Sequence, residues 1–304
     1  MNTDGRINHY SQLCNLKEYV SQNGKSRNMR IFEIDNGVLS FDVTADRCMD
    51  IVHFRHLGEN LSFISKNGIC AEGDYFGTFP GGMVYTCGLD SLGGREGFPF
   101  HGGIHNVPAR ITEAFCDGYN VRLTGEMSDT RLFGRNLTLK RTIETSYGSG
   151  KVVIRNELIN RGNADEPYVF LFHINFGYPM LDEGAEIKAD IADTIARTPF
   201  AKARRNKCLV MDAPVDEEEQ VFYHTLKERG VSVVNKKLKR EFKIDYDTDK
   251  LPFLVEWKSM LYGDYALGIE PSTTFMDDFF NYSSIEAGQS VNIDLTLEIK
   301  STDG

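Results

Sequence analysis

One strand-like segment carries two side chains that could do chemistry. The run YVFLFHINFGYP (168–179) places an imidazole and an amide among aromatic and aliphatic residues. Side chains on a strand alternate between its two faces. One face of this run is therefore apolar throughout, whereas the other begins with Val169 and Leu171 and continues with His173 and Asn175. A face that becomes polar halfway along is typical of the rim of a cleft, and a core histidine bonded to the backbone is the equally favoured alternative.

A second histidine precedes two glycines in GFPFHGGIHNVPAR (97–110). The prolines and glycines predict a loop or a strand edge, with room for a ligand to approach the backbone. His101 and His105 have the spacing of a metal-binding pair on a helix, but the Gly-Gly-Ile between them is a poor helix former. A zinc site is therefore not favoured here.

A carboxylate completes the set of candidate groups. In YALGIEPSTT (265–274), alternation places Ala266, Gly268 and Glu270 on one face, and Pro271 keeps the glutamate in extended geometry. Glu270 ends an apolar strand with only small neighbours on its own face, which leaves space beside the carboxylate. A glutamate on the protein surface is the ordinary alternative, and a carboxylate in a cleft is the functional one.

Most of the chain predicts β-strands, which would have to position these groups. Apolar and polar residues alternate in six runs, namely 30–44, 135–145, 151–160, 231–235, 240–246 and 291–299. The acidic run DEEEQ (216–220) could begin a helix or a strand. Many short strands without an internal repeat or a linker favour an all-β fold, one large antiparallel β-sandwich. We expect a single domain over residues 1–304, with 1–29 as a candidate N-terminal extension.

Composition disfavours several classes of partner and site. The 304 residues carry a formal net charge of −10, which disfavours binding to nucleic acid or to an anionic membrane surface. The basic run KKLKR (236–240) lacks interleaved aromatic residues and is interpreted as a solvated strand edge. The six cysteines form no CxxC pair, and the N-terminus has no apolar signal core. We therefore expect a cytoplasmic protein without a zinc ribbon.

The candidate groups follow a recognisable order along the chain. An HGG motif, then a strand histidine followed by an aromatic residue, then a late strand glutamate resembles the aldose 1-epimerases, or galactose mutarotases. Five longer stretches resemble an aldose 1-epimerase-like branch of that superfamily, namely ADRCMDI (45–51), GGMVYTCGLDSLG (81–93), FPFHGGIHNVPA (98–109), FHINFGYPMLDEGA (172–185) and LPFLVEWKSMLYGDYALGIEPST (251–273). The fold that this resemblance implies is a large antiparallel β-sandwich.

The resemblance also implies a role for each candidate group. Glu270 matches the general base of the epimerases, His173 matches the general acid at the ring oxygen, and His101 matches a histidine that contacts the sugar. A base, an acid and rotation of the opened carbonyl interconvert the anomers of an aldose. The resemblance therefore implies an isomerase that needs no cofactor, no metal and no covalent intermediate.

The chain departs from the epimerase pattern in two places. Typical mutarotases carry an Asn-Arg pair shortly before HGG, and this region reads TCGLDSLGG (86–94) without arginine. Arg47, Asp50 and Asp90 are the expected replacements as contacts to the sugar hydroxyls, and Asn175 is a further expected sugar contact. Related proteins often carry arginine in place of the second glycine of HGG, so the identity of the sugar stays open.

Three other functions stay open at this point. The first is a carbohydrate-binding protein on the same fold, which would need no acid–base pair. The second is a metal-dependent sugar isomerase with four ligands, namely His101, His105, His173 and Glu270. The third is a glycoside hydrolase, which would need two carboxylates across the bond, and the sequence offers only one in suitable surroundings. The predicted partner is a small-molecule sugar, with no nucleic acid and no membrane, and a homodimer is left open.

Overall fold

The computed structural model describes residues 5–277 and 280–302. Its β-strands, in chain order, are β1 (Asn15–Val20), β2 (Arg30–Asp35), β3 (Leu39–Thr44), β4 (Asp50–His56), β5 (Glu59–Asn60), β6 (Tyr85–Leu89), β7 (Arg110–Cys116), β8 (Asn120–Thr130), β9 (Asn136–Ser146), β10 (Lys151–Asn160), β11 (Glu166–Phe176), β12 (Glu186–Lys188), β13 (Ile191–Ala196), β14 (Gln220–Leu226), β15 (Val231–Asn235), β16 (Arg240–Tyr246), β17 (Phe253–Ser259), β18 (Ala266–Ser272), β19 (Ser283–Ile285), β20 (Ser290–Asn292) and β21 (Leu295–Ser301). Its α-helices are α1 (Tyr75–Thr78) and α2 (Pro199–Ala203), and its 3-10 turns are Tyr10–Gln12, Gly24–Ser26, Ile104–Asn106 and Arg205–Lys207. Within the described ranges, no helix has both the length and the apolar character that a membrane span requires.

The strands form three sheets, and the pairs within them are antiparallel. The first sheet has the order β1-β2-β3-β4-β5. The second has nine strands in the order β12-β15-β16-β21-β10-β9-β8-β7, with β20 also paired to β10. The third has seven strands in the order β13-β14-β17-β18-β11-β19, with β6 also paired to β11. The predicted all-β class and the large antiparallel β-sandwich are confirmed.

Several predicted strands have the predicted bounds, among them β10, β15 and β16. The run 291–299 is instead divided into β20 and β21. At the break, the side chain of Asp294 accepts the N–H of Asn156 at 3.1 Å, in place of a backbone carbonyl. A side chain that replaces a backbone carbonyl as hydrogen-bond acceptor interrupts the strand. The alternation of residue types does not predict such an interruption.

Three other segments differ from their sequence-based interpretation. Residues 216–219 are irregular, and Gln220 then begins β14. The basic run 236–240 is the turn between β15 and β16 together with the first residue of β16. Residues 15–20 of the expected N-terminal extension form β1, which pairs with β2 at the edge of the first sheet.

The seven-stranded sheet has apolar residues on both of its faces. The aromatic face of β11 lies in the main core, where Phe176 packs edge-on against Phe242 of the nine-stranded sheet at 5.0 Å between ring centroids. The opposite face of β11 contributes Val169 and Leu171 to a second, smaller apolar cluster. His173 continues this second row, so it points away from the main core.

A buried ion pair connects all three sheets. The guanidinium of Arg141, in β9, donates to Asp50 Oδ1 of β4 at 3.0 Å and to Thr86 Oγ1 of β6 at 2.8 Å. Asp50 in turn accepts the N–H of Thr86 at 2.9 Å and its hydroxyl at 2.6 Å. Arg141 also donates to Asn156 Oδ1 and to the Cys48 carbonyl. This complete set of partners offsets the cost of burying two charges.

We expect Asp50→Ala to lower the free energy of unfolding by about 3–5 kcal/mol, because it leaves the Arg141 guanidinium buried without a counter-charge. Urea denaturation measures the change. Asp190→Ala is the matched control, since the Asp190–Lys227 pair is exposed and its loss should leave the midpoint nearly unchanged. Equal midpoints for the two variants would contradict a structural role for the buried pair.

Candidate active site

His173 and Glu270 meet on two adjacent antiparallel strands. The register of β11 and β18 places Ile174 opposite Ile269, so His173 stands opposite Glu270. Their side chains approach to 3.2 Å between Nε2 and Oε1. The two residues are only 4% and 1% exposed, and each lies on the face that the alternation predicts. Two groups 97 positions apart in sequence, 270 minus 173, thus form one acid–base pair.

The glycine at position 268, which has no side chain, provides the space for this pair. A Cβ added at Gly268 would lie 2.5 Å from Glu270 Oε1, 3.2 Å from His173 Cε1 and 3.3 Å from the Cβ of Trp257. A carbon and an oxygen cannot approach to the first of these distances in a packed interior. Position 268 therefore requires glycine as long as the carboxylate keeps its place, in agreement with the space that the small neighbours of Glu270 predict.

His101 reaches the pair from the HGG loop. His101 and Gly102 both have left-handed backbone conformations, with φ of +59° and +78°. A Cβ at Gly102 would lie 2.3 Å from the Gly88 carbonyl oxygen, so the loop can pack here only with glycine. The His101 ring lies 5.8 Å from the His173 ring between centroids, and its Nδ1 accepts the N–H of Gly93 at 3.3 Å. The HGG motif thus turns a third titratable group toward the pair.

The three groups line one cavity of about 860 Å³. This volume is in the usual range for a small-molecule site. The cavity walls are largely aromatic, with contributions from Phe63, Tyr75, Phe76, Phe79, Phe100 and Trp257. A mostly apolar cavity with a few polar groups at one place is the ordinary form of a ligand site.

The exposed part of the cavity lining is acidic. Its charged residues are Lys66, Arg197, Glu217, Glu218, Glu219 and Asp264. Both cations already have carboxylate partners, since Lys66 pairs with Asp264 at 2.7 Å and Arg197 pairs with Asp277 at 2.7 Å. Within the described residues of the lining, no lysine or arginine is therefore left without a carboxylate partner to bind an anionic group of a ligand.

Burial sets the protonation of the site. Desolvation lowers the pKa of His173 to about 3. Desolvation also raises the pKa of Glu270 well above its usual value, and the negative charge of Glu219 raises it further. The pKa of His101 is lowered, again mainly by burial. At neutral pH, both imidazoles are therefore uncharged and the carboxyl group resists ionisation.

Two buried atoms of the pair lack hydrogen bonds. Among the described residues, His173 Nδ1 and Glu270 Oε1 have no hydrogen-bond partner. The 3.2 Å approach of Nε2 to Oε1 is a close contact without hydrogen-bond alignment. An unpaired buried polar atom costs about 1–3 kcal/mol, and such atoms are expected where a ligand supplies the missing partner.

Arg47 and Asp50, two of the expected sugar contacts, have structural partners. Arg47 donates to the carbonyl oxygens of His105 and Cys70 at 3.0 and 2.9 Å. Asp50 is the carboxylate of the buried pair with Arg141. Neither residue belongs to the cavity lining in the part of the chain that the structure describes. Their polar groups hold the backbone beneath the site, so no sugar contact is assigned to them.

Asp90 and Asn175, the other two expected sugar contacts, also lie outside the described lining of the cavity. Asp90 Oδ1 accepts the N–H of Gly103 at 3.0 Å, which ties down the HGG loop. Asn175 donates to the carbonyl oxygens of Gly82 and His173, both at 3.0 Å. Each side chain thus supports the backbone next to a cavity histidine, and no sugar contact is assigned to it either.

Sequence reasoning did not identify one wall of the cavity. Trp257 Nε1 donates to Glu219 Oε2 at 2.8 Å, and both residues line the cavity. Nothing in the sequence of the acidic run 216–220 indicates that this run faces β18. The position of the run depends on the path of an irregular segment. Trp257 had one signal, since it is the single tryptophan of the chain and lies within one of the stretches that carry the family resemblance.

The ligand set of the alternative metal-dependent isomerase is not assembled. Across residues 5–277 and 280–302, no cluster of three or more His, Cys, Asp or Glu side chains is placed to hold a metal ion. His105 packs against Tyr85 at 4.9 Å between ring centroids. It is not among the described lining residues of the cavity.

Comparison with known proteins supports the same architecture. A family model described as a domain of unknown function, DUF4432, matches residues 26–298. No curated protein matches the sequence.

Solved structures of the same fold come from several bacteria. A provisionally assigned aldose 1-epimerase from Klebsiella pneumoniae is 22% identical, with a TM-score of 0.84 over 95% of this chain and 84% of that chain. A galactose mutarotase-like protein from Clostridium acetobutylicum is 16% identical, with a TM-score of 0.71 over 96% and 100% of the two chains. A galactose mutarotase-like protein from Lactobacillus casei is 13% identical, with a TM-score of 0.62 over 89% and 100%. These likenesses show a galactose mutarotase-like fold.

We expect Glu270→Gln to raise the free energy of unfolding at pH 8. The pKa of Glu270 is higher in the folded state than in the unfolded state. Between these two values the folded protein binds more protons, so wild-type stability falls as the pH rises through this window. Glutamine does not ionise, so the gain should shrink toward zero as the pH approaches about 4, the unfolded value.

Denaturation curves between pH 4 and pH 9 measure this gain. Glu228→Gln, at an exposed position, is the control and should show no gain. A gain for Glu270→Gln that does not depend on pH would contradict the assigned direction of its pKa shift.

Proposed function

We propose that this chain, which belongs to the domain-of-unknown-function family DUF4432, is an aldose 1-epimerase-like enzyme that interconverts the anomers of a sugar by acid–base ring opening. The observation that carries the proposal is the buried His173–Glu270 pair, 3.2 Å apart in a cavity with aromatic walls. His101 lines the same cavity and is the proposed further contact to the sugar. The proposed substrate is a sugar in solution. The proposed location of the protein is the cytoplasm.

The spacing of the pair suits the chemistry of an anomeric centre. The oxygen of the anomeric hydroxyl and the ring oxygen are bonded to the same carbon. Catalysis therefore requires one protein group at the first oxygen and a second protein group at the other. Two groups 3.2 Å apart can face both oxygens at once. General acid–base catalysis requires hydrogen-bond reach to the protons that move, and ring opening requires no other bond-making group.

The pair is proposed to hold one exchangeable proton. Desolvation favours the neutral carboxyl and the neutral imidazole. Once a bound sugar has aligned the two groups, transfer of the proton from Glu270 to His173 gives the carboxylate base and the imidazolium acid. The base then takes the proton of the anomeric hydroxyl while the acid protonates the ring oxygen, the ring C–O bond breaks and a carbonyl forms. After rotation, closure on the other face returns both protons, so the enzyme is unchanged.

This proton count sets the expected dependence of activity on pH. Loss of the proton above the raised pKa of Glu270 stops exchange, and gain of a second proton below the lowered pKa of His173 also stops it. The pair therefore gives a bell-shaped profile, with an alkaline limb where its proton is lost and an acid limb where it gains a second proton.

The buried pair also favours an enzyme over a binding protein. Recognition of sugar hydroxyls needs polar groups, but it does not need a carboxyl group and an imidazole that are desolvated and incompletely bonded. Such groups cost stability, and perturbed titratable groups in a cavity are typical of catalytic sites.

We expect His173→Asn and Glu270→Gln each to slow anomer exchange at least 10²-fold, about 2.7 kcal/mol of activation free energy. Both replacements are close in shape to the original side chain, and neither can transfer a proton near neutral pH. Exchange NMR between the two anomer signals of each sugar in a panel of aldoses measures the rate. Sugar affinity should fall much less, since uniform binding and proton transfer are separable.

The matched controls are His53→Asn and Glu228→Gln, which make the same changes outside the cavity. A near wild-type rate for either site variant would refute the acid–base assignment and favour the binding-protein reading for any sugar that still binds. Loss of wild-type exchange on treatment with a chelator, with recovery on addition of one divalent ion, would favour the metal-dependent isomerase instead.

We expect Gly268→Ala to slow exchange at least about tenfold, because its Cβ would lie 2.5 Å from Glu270 Oε1 and must displace the carboxylate. Gly103→Ala makes the same change in the HGG loop, where the nearest atom to the new Cβ is 3.8 Å away, and should keep most of the activity. Equal rates for the two variants would contradict the spatial requirement at position 268. Circular dichroism checks that both variants are folded.

A further inference from the structure

Trp257 forms one wall of the cavity beside the acid–base pair. Its indole lies 5.5 Å from the His173 ring between centroids, at an interplanar angle of 74°. The plane of the indole is therefore steeply inclined to the plane of the neighbouring imidazole. Trp257 is partly buried, and it lines the cavity.

The strand register brings this wall to the reacting groups. Trp257 of β17 pairs directly with Gly268 of β18. Because Gly268 has no side chain, the indole, the imidazole of His173 and the carboxyl of Glu270 surround one open space. A Cβ at Gly268 would come within 3.3 Å of Glu270 Oε1, of His173 Cε1 and of the Cβ that carries the indole of Trp257.

Glu219 holds the indole in place from the acidic run. The Trp257 N–H donates to Glu219 Oε2 at 2.8 Å. This hydrogen bond satisfies the single polar group of the indole and fixes the direction of its plane. An aromatic surface that is oriented before the ligand arrives loses less conformational entropy on binding.

We propose, on the basis of the proposed function, that Trp257 is the surface on which the apolar face of the sugar ring packs, and that Glu219 is a positioning residue that fixes this indole. One face of a pyranose presents mainly C–H groups, and tryptophan offers the largest apolar surface with a polar group at its edge. A ring seated on the indole has its anomeric carbon beside the pair.

Two substitutions test the hydrogen bond that holds the indole. Glu219→Gln keeps an oxygen that accepts the indole N–H, so its KM should stay within about twofold of wild type. Glu219→Leu removes the acceptor, so its KM should rise while kcat stays close to that of wild type. Asp216→Asn changes a residue of the same run outside the cavity lining and should leave both quantities unchanged.

Substitution of the indole tests the stacking surface itself. Trp257→Ala should raise KM about tenfold or more, and Trp257→Phe should raise it less, because phenylalanine restores part of the aromatic surface. Both effects should fall mainly on KM, since neither variant removes a group that transfers a proton. Unchanged KM in Trp257→Ala and Glu219→Leu would overturn the proposal, and equal KM values for Glu219→Gln and Glu219→Leu would overturn the positioning role of Glu219.

The single tryptophan also permits a test that does not depend on catalysis. Titration of wild-type protein with D-glucose, D-galactose and D-xylose should change the fluorescence of Trp257, and Glu219→Leu should weaken this binding. Fluorescence changes without anomer exchange would refute the proposed function and leave the stacking surface standing. Anomer exchange without any fluorescence change would overturn the stacking surface and leave the proposed function standing, and the absence of both would overturn both.

Discussion

The site depends on one buried ion pair. The Arg141 guanidinium joins a strand of the nine-stranded sheet to Asp50 of the first sheet and to Thr86 of the third. Thr86 lies in β6, and the next residue toward the N-terminus, Tyr85, pairs with His173. The pair therefore fixes the strand that flanks His173. Its geometry is specified sharply because a buried charge without its partners is so costly.

The same burial that requires partners for Arg141 gives His173 and Glu270 their chemical character. The ion pair has hydrogen bonds on nearly every polar atom, whereas the acid–base pair keeps two unpaired atoms. In a low-dielectric interior, the first arrangement is rigid and charged, and the second is uncharged and ready to accept a ligand. The fold thus contains two kinds of buried polar cluster, one that supports the sheets and one that lines the cavity.

The role of polar residues in recognisable stretches depends on which partner the fold brings to them. Sugar contacts were predicted for Arg47, Asp50, Asp90 and Asn175, and in this structure each side chain bonds to backbone or to a buried charge. A ligand contact and a structural contact use the same side-chain chemistry, so residue type does not distinguish them. The partner decides, and for Asp50 that partner is Arg141, 91 positions away.

The sequence by itself determined the local features. Period-two alternation indicated the all-β class and the exact bounds of three strands. It also indicated the faces on which His173 and Glu270 lie, because successive side chains on a strand point to opposite faces. The small neighbours of Glu270 correctly indicated space at Gly268. Only the tertiary structure decided which faces meet, since strand pairing over long separations and the path of an irregular segment place Glu219 against Trp257. Local pattern carries no information on that contact, because its energy arises only after the sheets have assembled.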